Sequence, residues 1–421
     1  MVKTYHIQIP EKVAEILPTW EGSPPFKGFD IDNLKLIISI IATHQRKDDY
    51  GNIYAQLKME FLRNIIWNAD KYVNLLIEAN IIRRFGGYTP GDHAWKYCFT
   101  ESYLSPYVSS ELKNPKLLMK IREINTNKGR NDIRLYPNQK KQLKTLTIDY
   151  VKAMELIKKQ YPDKKDILKY NFGIGQITRI NNKEPYMVRD NSGYRIHTPL
   201  TNLSSFLRGE AQIEGKYLSG LDIANSQVYF AIKLLLNPES AKGFFPGQFP
   251  LMMLKSLRLS QQQDVARFVL LVSKAQFYKF MEAEFLKVGL NIPVIDPIKV
   301  SDECKKIIFT ILFEKNHLTS KAKKIFQKLF PNVDKAFSLL RMVNYCDFVN
   351  CLARMESYAV NDLIIEKLNN EHPGMVAQQI YDNLVTSIVT DDIETARKVM
   401  AEELTAFVGY PPVLRVENFR N

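Results

Sequence analysis

Two aspartates occupy positions from which a carboxylate could do chemistry. Asp222 lies in KYLSGLDIANSQVYFAIKLLL, where the apolar residues around Leu218 and Leu221 predict a strand ending near the aspartate. Asn225 and Ser226 are good cap residues, so a helix is expected from there through Leu236. Ligands commonly bind at such strand-to-helix junctions in mixed α/β folds. Asp382 lies in MVAQQIYDNLVTSIVTDD, where two strand-like runs flank Tyr381, Asp382 and Asn383. A hairpin there would carry Asp382 at its tip. Taken singly, the first aspartate reads as a helix cap and the second as an Asp–Asn turn. Taken together, two carboxylates are suited to divalent cations, but they stand 160 positions apart and only the tertiary fold could join them.

The stretches between and around them fall into a definite order. GYRIHTPLTNLSSFLRG, with Arg195, Asn202 and Arg208, precedes the first aspartate. SKAQFYKFMEAEFL and DECKKIIFTILFEKN are expected helices, the second carrying Lys305, Phe309 and Phe313 at steps of four. ARMESYAVNDLIIEKL is an expected helix before the second aspartate, and TDDIETARKVMAEELTAFVGYPPVLRVE a closing helix and strand. In order and spacing, residues 185–421 resemble motifs A, B and C of the family A DNA polymerases and the phage-type single-subunit RNA polymerases.

That resemblance implies an α+β chain with a right-hand polymerase palm (186–236 and 341–421), helical fingers (237–340) and a reduced helical thumb (113–185). It implies template-directed nucleotide addition on a DNA or RNA template-primer, with nucleoside triphosphates as substrates. Asp222 and Asp382 would hold two Mg²⁺ ions, with Mn²⁺ a possible substitute. Lys305 would meet the incoming triphosphate, and Phe309 and Phe313 would pack against the nascent base pair. Arg195, Asn202 and Arg208 would contact the nucleic acid. Gln227, five residues after the first aspartate, stands where the DNA enzymes carry glutamate and the RNA enzymes a small residue. Its bulk favours dNTPs, so DNA synthesis is expected ahead of an RNA polymerase or primase activity. Three stretches depart from the family pattern: Ser301 replaces an arginine, with Lys299 close but out of register, Phe313-Glu314 replaces tyrosine-glycine, and Tyr381-Asp382-Asn383 stands where motif C often reads His-Asp-Glu or His-Asp-Ser.

Upstream, the 1–112 region reads as an extended lead-in to about residue 30, followed by a winged-helix-like domain. LKLIISIIATH, LKMEFLRNIIWN and ADKYVNLLIEAN carry helical spacing. IIRRFGGYTPGDHAWKYCFT then reads as a hairpin. This order resembles plasmid replication initiators and many transcription factors. Arg83, Arg84 and Lys96 are the expected DNA-backbone contacts on the wing. Helices are expected near 114–124 and 138–160, separated by a loop containing NTNKGRND. On this reading the roughly 185 residues ahead of the palm would leave no room for a proofreading exonuclease, and a compact form suited to a phage, plasmid or other mobile element is expected. A protein that only binds DNA, its palm inactive, is the reading from another class.

Bulk composition fits a polyanionic partner. The net charge is +13 with a pI near 9.3. Residues 113–170 alone hold 16 Lys/Arg against 6 Asp/Glu. No apolar run reaches the ~18–20 residues of a membrane span. MVKTYHIQIPEKV lacks the features of a secretory signal, so a cytoplasmic location is expected. Cys98, Cys304, Cys346 and Cys351 form no CxxC pair and read as free thiols rather than a zinc site. Gly173 and Gly175 in NFGIGQ form a lone GxG without the βαβ setting of a dinucleotide site.

Overall fold

The computed structural model describes residues 5–87, 94–128, 136–163, 166–183, 186–290, 292, 300–317 and 320–420. The chain is mixed α and β. It divides into two compact units, one built from residues up to 188 together with 198–215, the other from 189–197 together with 216–419.

In the first unit the expected extended lead-in is instead a strand and two short helices. Strand β1 (Tyr5–Pro10) is joined to the helices Glu11–Ala14 and Leu17–Gly22. The HIQI alternation outweighs the downstream prolines, because Ile7 and Ile9 both reach buried positions. The three expected helices form at Ile31–Thr43, Met59–Ile65 and Ala69–Glu78. Asp30 caps the first by accepting from the Asp32 amide at 2.9 Å. Strands β2 (Gln45–Lys47), β3 (Ile53–Gln56), β4 (Ile82–Phe85) and β5 (Lys96–Phe99) make one sheet in the order β2-β3-β5-β4. The expected hairpin is thus an antiparallel pair, Ile82 opposite Phe99 and Phe85 opposite Lys96. Its turn, 88–93, lies outside the described residues. Strand β6 (Tyr107–Leu112) pairs antiparallel with β1.

The basic segment begins as expected with the helix Pro115–Lys128, although part of the expected loop, 129–132, lies outside the described residues. The helix expected over 138–160 is broken. Pro137–Leu143 and Tyr150–Gln160 are separate helices around the two-residue strand β7 (Thr147–Ile148). The β-branched Thr145, Thr147 and Ile148 favour extended backbone, and Asp149 starts the second helix anew by accepting from the Val151 and Lys152 amides. Gly173 and Gly175 lie inside the helix Ile167–Asn181, not in a phosphate-binding turn. A Cβ on Gly173 would sit 3.0 Å from Ile157, so glycine there allows the two helices to pack closely.

Segment 186–215 holds the short strands β8 (Val188–Arg189), β9 (Ile196–His197) and β10 (Ala211–Ile213), the last paired antiparallel with β7. The second unit is organised by strand β11 (Lys216–Ile223). Strand β12 (Gln378–Ile380) pairs with β13 (Asn383–Ser387), which pairs with β11; strand β14 (Leu414–Asn418) pairs with the other edge of β11. All these pairs are antiparallel. Residues 218–221 are all buried, as in a strand covered on both faces. The helix Ser226–Leu236 leaves β11, and the helices Gln248–Ser256, Gln263–Ser273, Phe277–Lys287, Asp302–Phe313, Lys321–Leu329 and Pro331–Leu340 follow. The helix Tyr345–Tyr358 then runs through a π-helical stretch, Ala359–Ile365, into Glu366–Glu371. Thr390–Val408 is the last helix, ended by Gly409 at φ +91°.

Aromatic rings fill the centre of the helical part. Phe268, Phe277, Phe326, Phe330, Phe337 and Phe348 are fully buried, with Phe337 and Phe348 centroids 4.7 Å apart. The buried Lys323 ammonium is paired with Asp334, and Gln327 donates to the other Asp334 oxygen at 3.0 Å. Among the described residues no helix is long and apolar enough to cross a membrane. Removing one partner of a buried pair strands the other charge. Asp334→Ala is therefore expected to lower unfolding free energy by about 3–5 kcal/mol. In the same chemical denaturation experiment, Lys323→Met combined with Asp334→Leu should recover most of that loss.

A candidate active site around two aspartates

Backbone register brings the two aspartates together. Asp222, near the end of β11, pairs with Asn383 on one side and Arg415 on the other. Ile380 pairs with Asn383, so Tyr381 and Asp382 form the two-residue connection between β12 and β13. Tyr381 has φ +55°, a left-handed conformation that suits tight hairpins but is costly for an aromatic residue. The sequence reading of both segments holds: β11 ends next to Asp222, the helix starts at Ser226, and Asp382 is at a hairpin tip. Across the sheet, Asp382 immediately precedes the residue opposite Asp222.

A chain of polar contacts holds this turn. Gln379 Nε2 donates to the Tyr381 carbonyl at 2.5 Å, and Asn361 Nδ2 donates to Gln379 Oε1 and to the Ser357 carbonyl. Ser357 Oγ donates to the Tyr194 carbonyl at 2.6 Å. On the other side of the turn, Asn383 Nδ2 donates to Glu417 Oε2 at 2.6 Å. Gly220 leaves room for this amide, since a Cβ there would fall 2.8 Å from Asn383 Nδ2 and 2.9 Å from Cγ. The Asn383 Oδ1 atom is buried and unpartnered.

Three carboxyl groups share the site's field. Burial, followed by the charges of Glu356 and Asp222, pushes Asp382 up to about 7. Asp222 is raised chiefly by burial and further by Glu417, while Arg415 and Lys305 oppose the shift. Glu356, fully buried on the helix Tyr345–Tyr358, is raised by burial. Its oxygens accept from Ser226 Oγ at 2.7 Å and from Arg195 Nη2 at 3.3 Å. The Arg195 guanidinium also lies 5.7 Å from the centre of the Tyr381 ring.

The other expected site residues divide between the two units. Lys305 projects from the helix Asp302–Phe313 within electrostatic reach of Asp222 and pairs with Asp302 at 3.1 Å. Ser301 caps this helix by accepting from the Cys304 amide at 3.1 Å; Lys299 lies outside the described residues. Phe309 is 37% exposed and stacks on Phe313 at 5.8 Å, whereas Phe313 turns inward against Phe348. Gln227 sits in the first turn of Ser226–Leu236, its Oε1 buried and unpartnered. Asn202 and Arg208 belong to the first unit; Asn202 donates to the Tyr186 hydroxyl and Arg208 Nε to the Leu203 carbonyl at 3.3 Å. Arg83, Arg84 and Lys96 lie on the sheet of that same unit.

Sequence reasoning missed Glu356, Tyr278 and Glu417. Glu356 had a signal: it follows Phe348 and Leu352 at steps of four, so it occupies an apolar stripe where a carboxylate is out of place. Tyr278, whose hydroxyl feels the Asp382 charge, looks like core in sequence and is packed as core. Glu417 gave no signal, because its role depends on strand pairing. Among the described residues no cluster of three or more His, Cys, Asp or Glu forms a metal cage.

No protein-family model matches the chain, and no curated protein matches it. Among solved structures, it can be superimposed on the POL domain of Pol1 from M. smegmatis, in complex with DNA primer-template and dNTP. The match has 11% sequence identity and a TM-score of 0.30 and covers 64% of this chain. The chain spans 56% of the length of that one.

A raised carboxyl pKa opposes folding once the group ionises, so Asp382 lowers stability as pH rises from about 4 to about 7. In metal-free buffer, Asp382→Asn should melt close to the wild type near pH 4 and above it near pH 8. Each kcal/mol recovered should raise the midpoint by about 2–4 °C. Gly220→Ala should displace the Asn383 amide and cost about 1–3 kcal/mol, the range for overpacking, measured by denaturant titration.

Proposed function

We propose that this chain is a template-directed nucleic-acid polymerase, with β11 to β14 as its palm and Asp222 and Asp382 as its catalytic carboxylates. The observation that carries this reading is the convergence of two aspartates 160 positions apart into one acidic site, beside Lys305. Buried acids crowded enough to raise one another's pKa are costly, and such costs concentrate at functional sites.

Phosphoryl transfer needs positioning and charge neutralisation more than covalent help from the protein. Asp222 and Asp382 would hold two Mg²⁺ ions, or Mn²⁺ in their place, which supply charge neutralisation to the attacking 3′-hydroxyl and the departing pyrophosphate. Lys305 would add a cation at the triphosphate. Phe309 offers an exposed ring to the base of the incoming nucleotide. Gln227 supplies bulk beside the sugar, which favours dNTPs and DNA synthesis. In the reaction the primer oxygen bonds to the α-phosphorus, the bond to pyrophosphate breaks, and the hydroxyl proton passes to solvent.

The helical segment 237–340 would serve as fingers and the basic 113–185 segment as a reduced thumb. The first unit's order of helix, hairpin, two helices and hairpin supports a winged-helix-like reading of its N-terminal part. Primer extension on a short templated duplex tests the proposal, with dNTPs and NTPs supplied separately. Templated extension by the wild type is expected, with dNTPs preferred. Asp222→Ala and Asp382→Ala should each lower it at least about 10³-fold, equivalent to several kcal/mol of transition-state stabilisation. If a folded, DNA-binding wild type extends nothing with Mg²⁺ or Mn²⁺, the chain is a binding protein and the proposal fails.

A further inference from the structure

The four-stranded sheet of the first unit has two unlike faces. Directly paired residues share a face and neighbours along a strand alternate. Ile82, Ala55, Tyr97 and Phe99 therefore point one way and are buried, and the exposed Arg84, opposite Tyr97, lies on that same face and away from the other basic residues of the pair, its guanidinium 4.8 Å from the Trp95 ring. Arg46, Tyr54, Gln56, Lys96, Phe85 and Arg83 point the other.

This outer face combines cations with an aromatic ring. Tyr54 is covered by the Arg46 guanidinium at 5.0 Å and the Lys96 ammonium at 4.6 Å. Phe85 meets Tyr54 edge-on at 6.1 Å and stays 38% exposed. No acidic residue occupies a position on this face of the strands. Asp48, in the β2–β3 connection, lies within electrostatic reach of Lys96, but its oxygens accept from the Tyr50 and Asn52 amides and the Asn52 side chain. The face continues into a concavity lined by His44, Arg46, Gln56 and Lys58.

The helix Ala69–Glu78, which would read a duplex groove in a winged-helix protein, is poorly suited to a polyanion. Its outward positions include Asp70, Lys71, Asn74 and Glu78, and Asp70 is held by both Arg63 donors at 2.8 Å. We propose that the first unit binds single-stranded nucleic acid on the outer face of its sheet. Phosphates would lie along Arg46, Lys58, Arg83 and Lys96, and one base would stack on Phe85. An open sheet face with an exposed ring can accept a base only when that base is unstacked, which selects single strands over duplex. The proposal deepens the nucleic-acid reading given above, yet requires neither Asp222 nor Asp382.

The test is fluorescence anisotropy with the full chain, without metal or nucleotides, on labelled oligo-dT, oligo-U and duplex DNA of about 20 nucleotides. Arg46→Gln/Arg83→Gln/Lys96→Gln should weaken single-strand binding more than tenfold and lower the slope of log affinity against log salt by about 2. Phe85→Ala should cost about tenfold on single strands and little on duplex. Lys71→Gln/Asn74→Ala on the helix should bind as the wild type does. Circular dichroism and thermal melting would confirm that each variant is folded. Unchanged binding by the folded triple variant overturns the proposal, as does a larger loss from the helix variant. Equal losses on duplex and single strands overturn the single-strand assignment. Because no incorporation is measured, a chain with no polymerase activity is tested as fully as an active one.

Discussion

The antiparallel register of β11 against β13 is the constraint on which the second unit's site depends. Pairing Asp222 with Asn383 places the β12–β13 turn at the end of β11, and with it Asp382. A shift of one residue would turn every side chain of β13 to the opposite face. The register is guarded by volume as well as by hydrogen bonds. Gly220 accommodates the Asn383 amide, and Glu417 on β14 accepts a hydrogen bond from its Nδ2, so all three central strands meet at this side chain.

The same geometry explains why the site is electrostatically costly. Asp222 and Asp382 lie close to a buried Glu356, and each carboxyl is held above its usual range. Arg195, Arg415 and Lys305 relieve the field only partly. Each of these acids is therefore harder to ionise than a carboxyl in water, because burial and like charge both disfavour the charged form. Glu356 serves this arrangement from behind. Its bonds to Ser226 and Arg195 tie the helix that follows β11 to the arginine that covers Tyr381.

Support for the turn comes from an irregularity in the preceding helix. The π-helical stretch Ala359–Ile365 carries Asn361, which links the Ser357 carbonyl to Gln379, which in turn holds the Tyr381 carbonyl. π-Helical turns are rare and concentrate at functional sites, because an extra residue in the turn redirects side chains that a regular helix would aim elsewhere. The helix thus feeds Glu356 and Asn361 into the site while Ile364, Ile365 and Leu368 continue the core.

Much of this was legible in the sequence wherever local physics decides the outcome. The strand ending near Asp222, the hairpin at Asp382 and the helix bearing Lys305 follow from periodicity, caps and turn residues; the helix from Ser226 begins where expected, but without the expected side-chain cap, since Asn225 makes none and Ser226 Oγ donates to Glu356. The lead-in and the 138–160 helix were misjudged, because prolines and lysines obscured a strand in one and a β-branched break interrupted the other. Glu356 was visible only as a carboxylate on an apolar stripe, and Glu417 not at all. The sequence by itself determined which residues could be acids at strand and turn ends. The tertiary structure alone decided that two of them meet, that Glu356 stands behind them and that Asp382 is hard to ionise. Those outcomes depend on pairing between strands far apart in the chain and on burial, neither of which local sequence encodes.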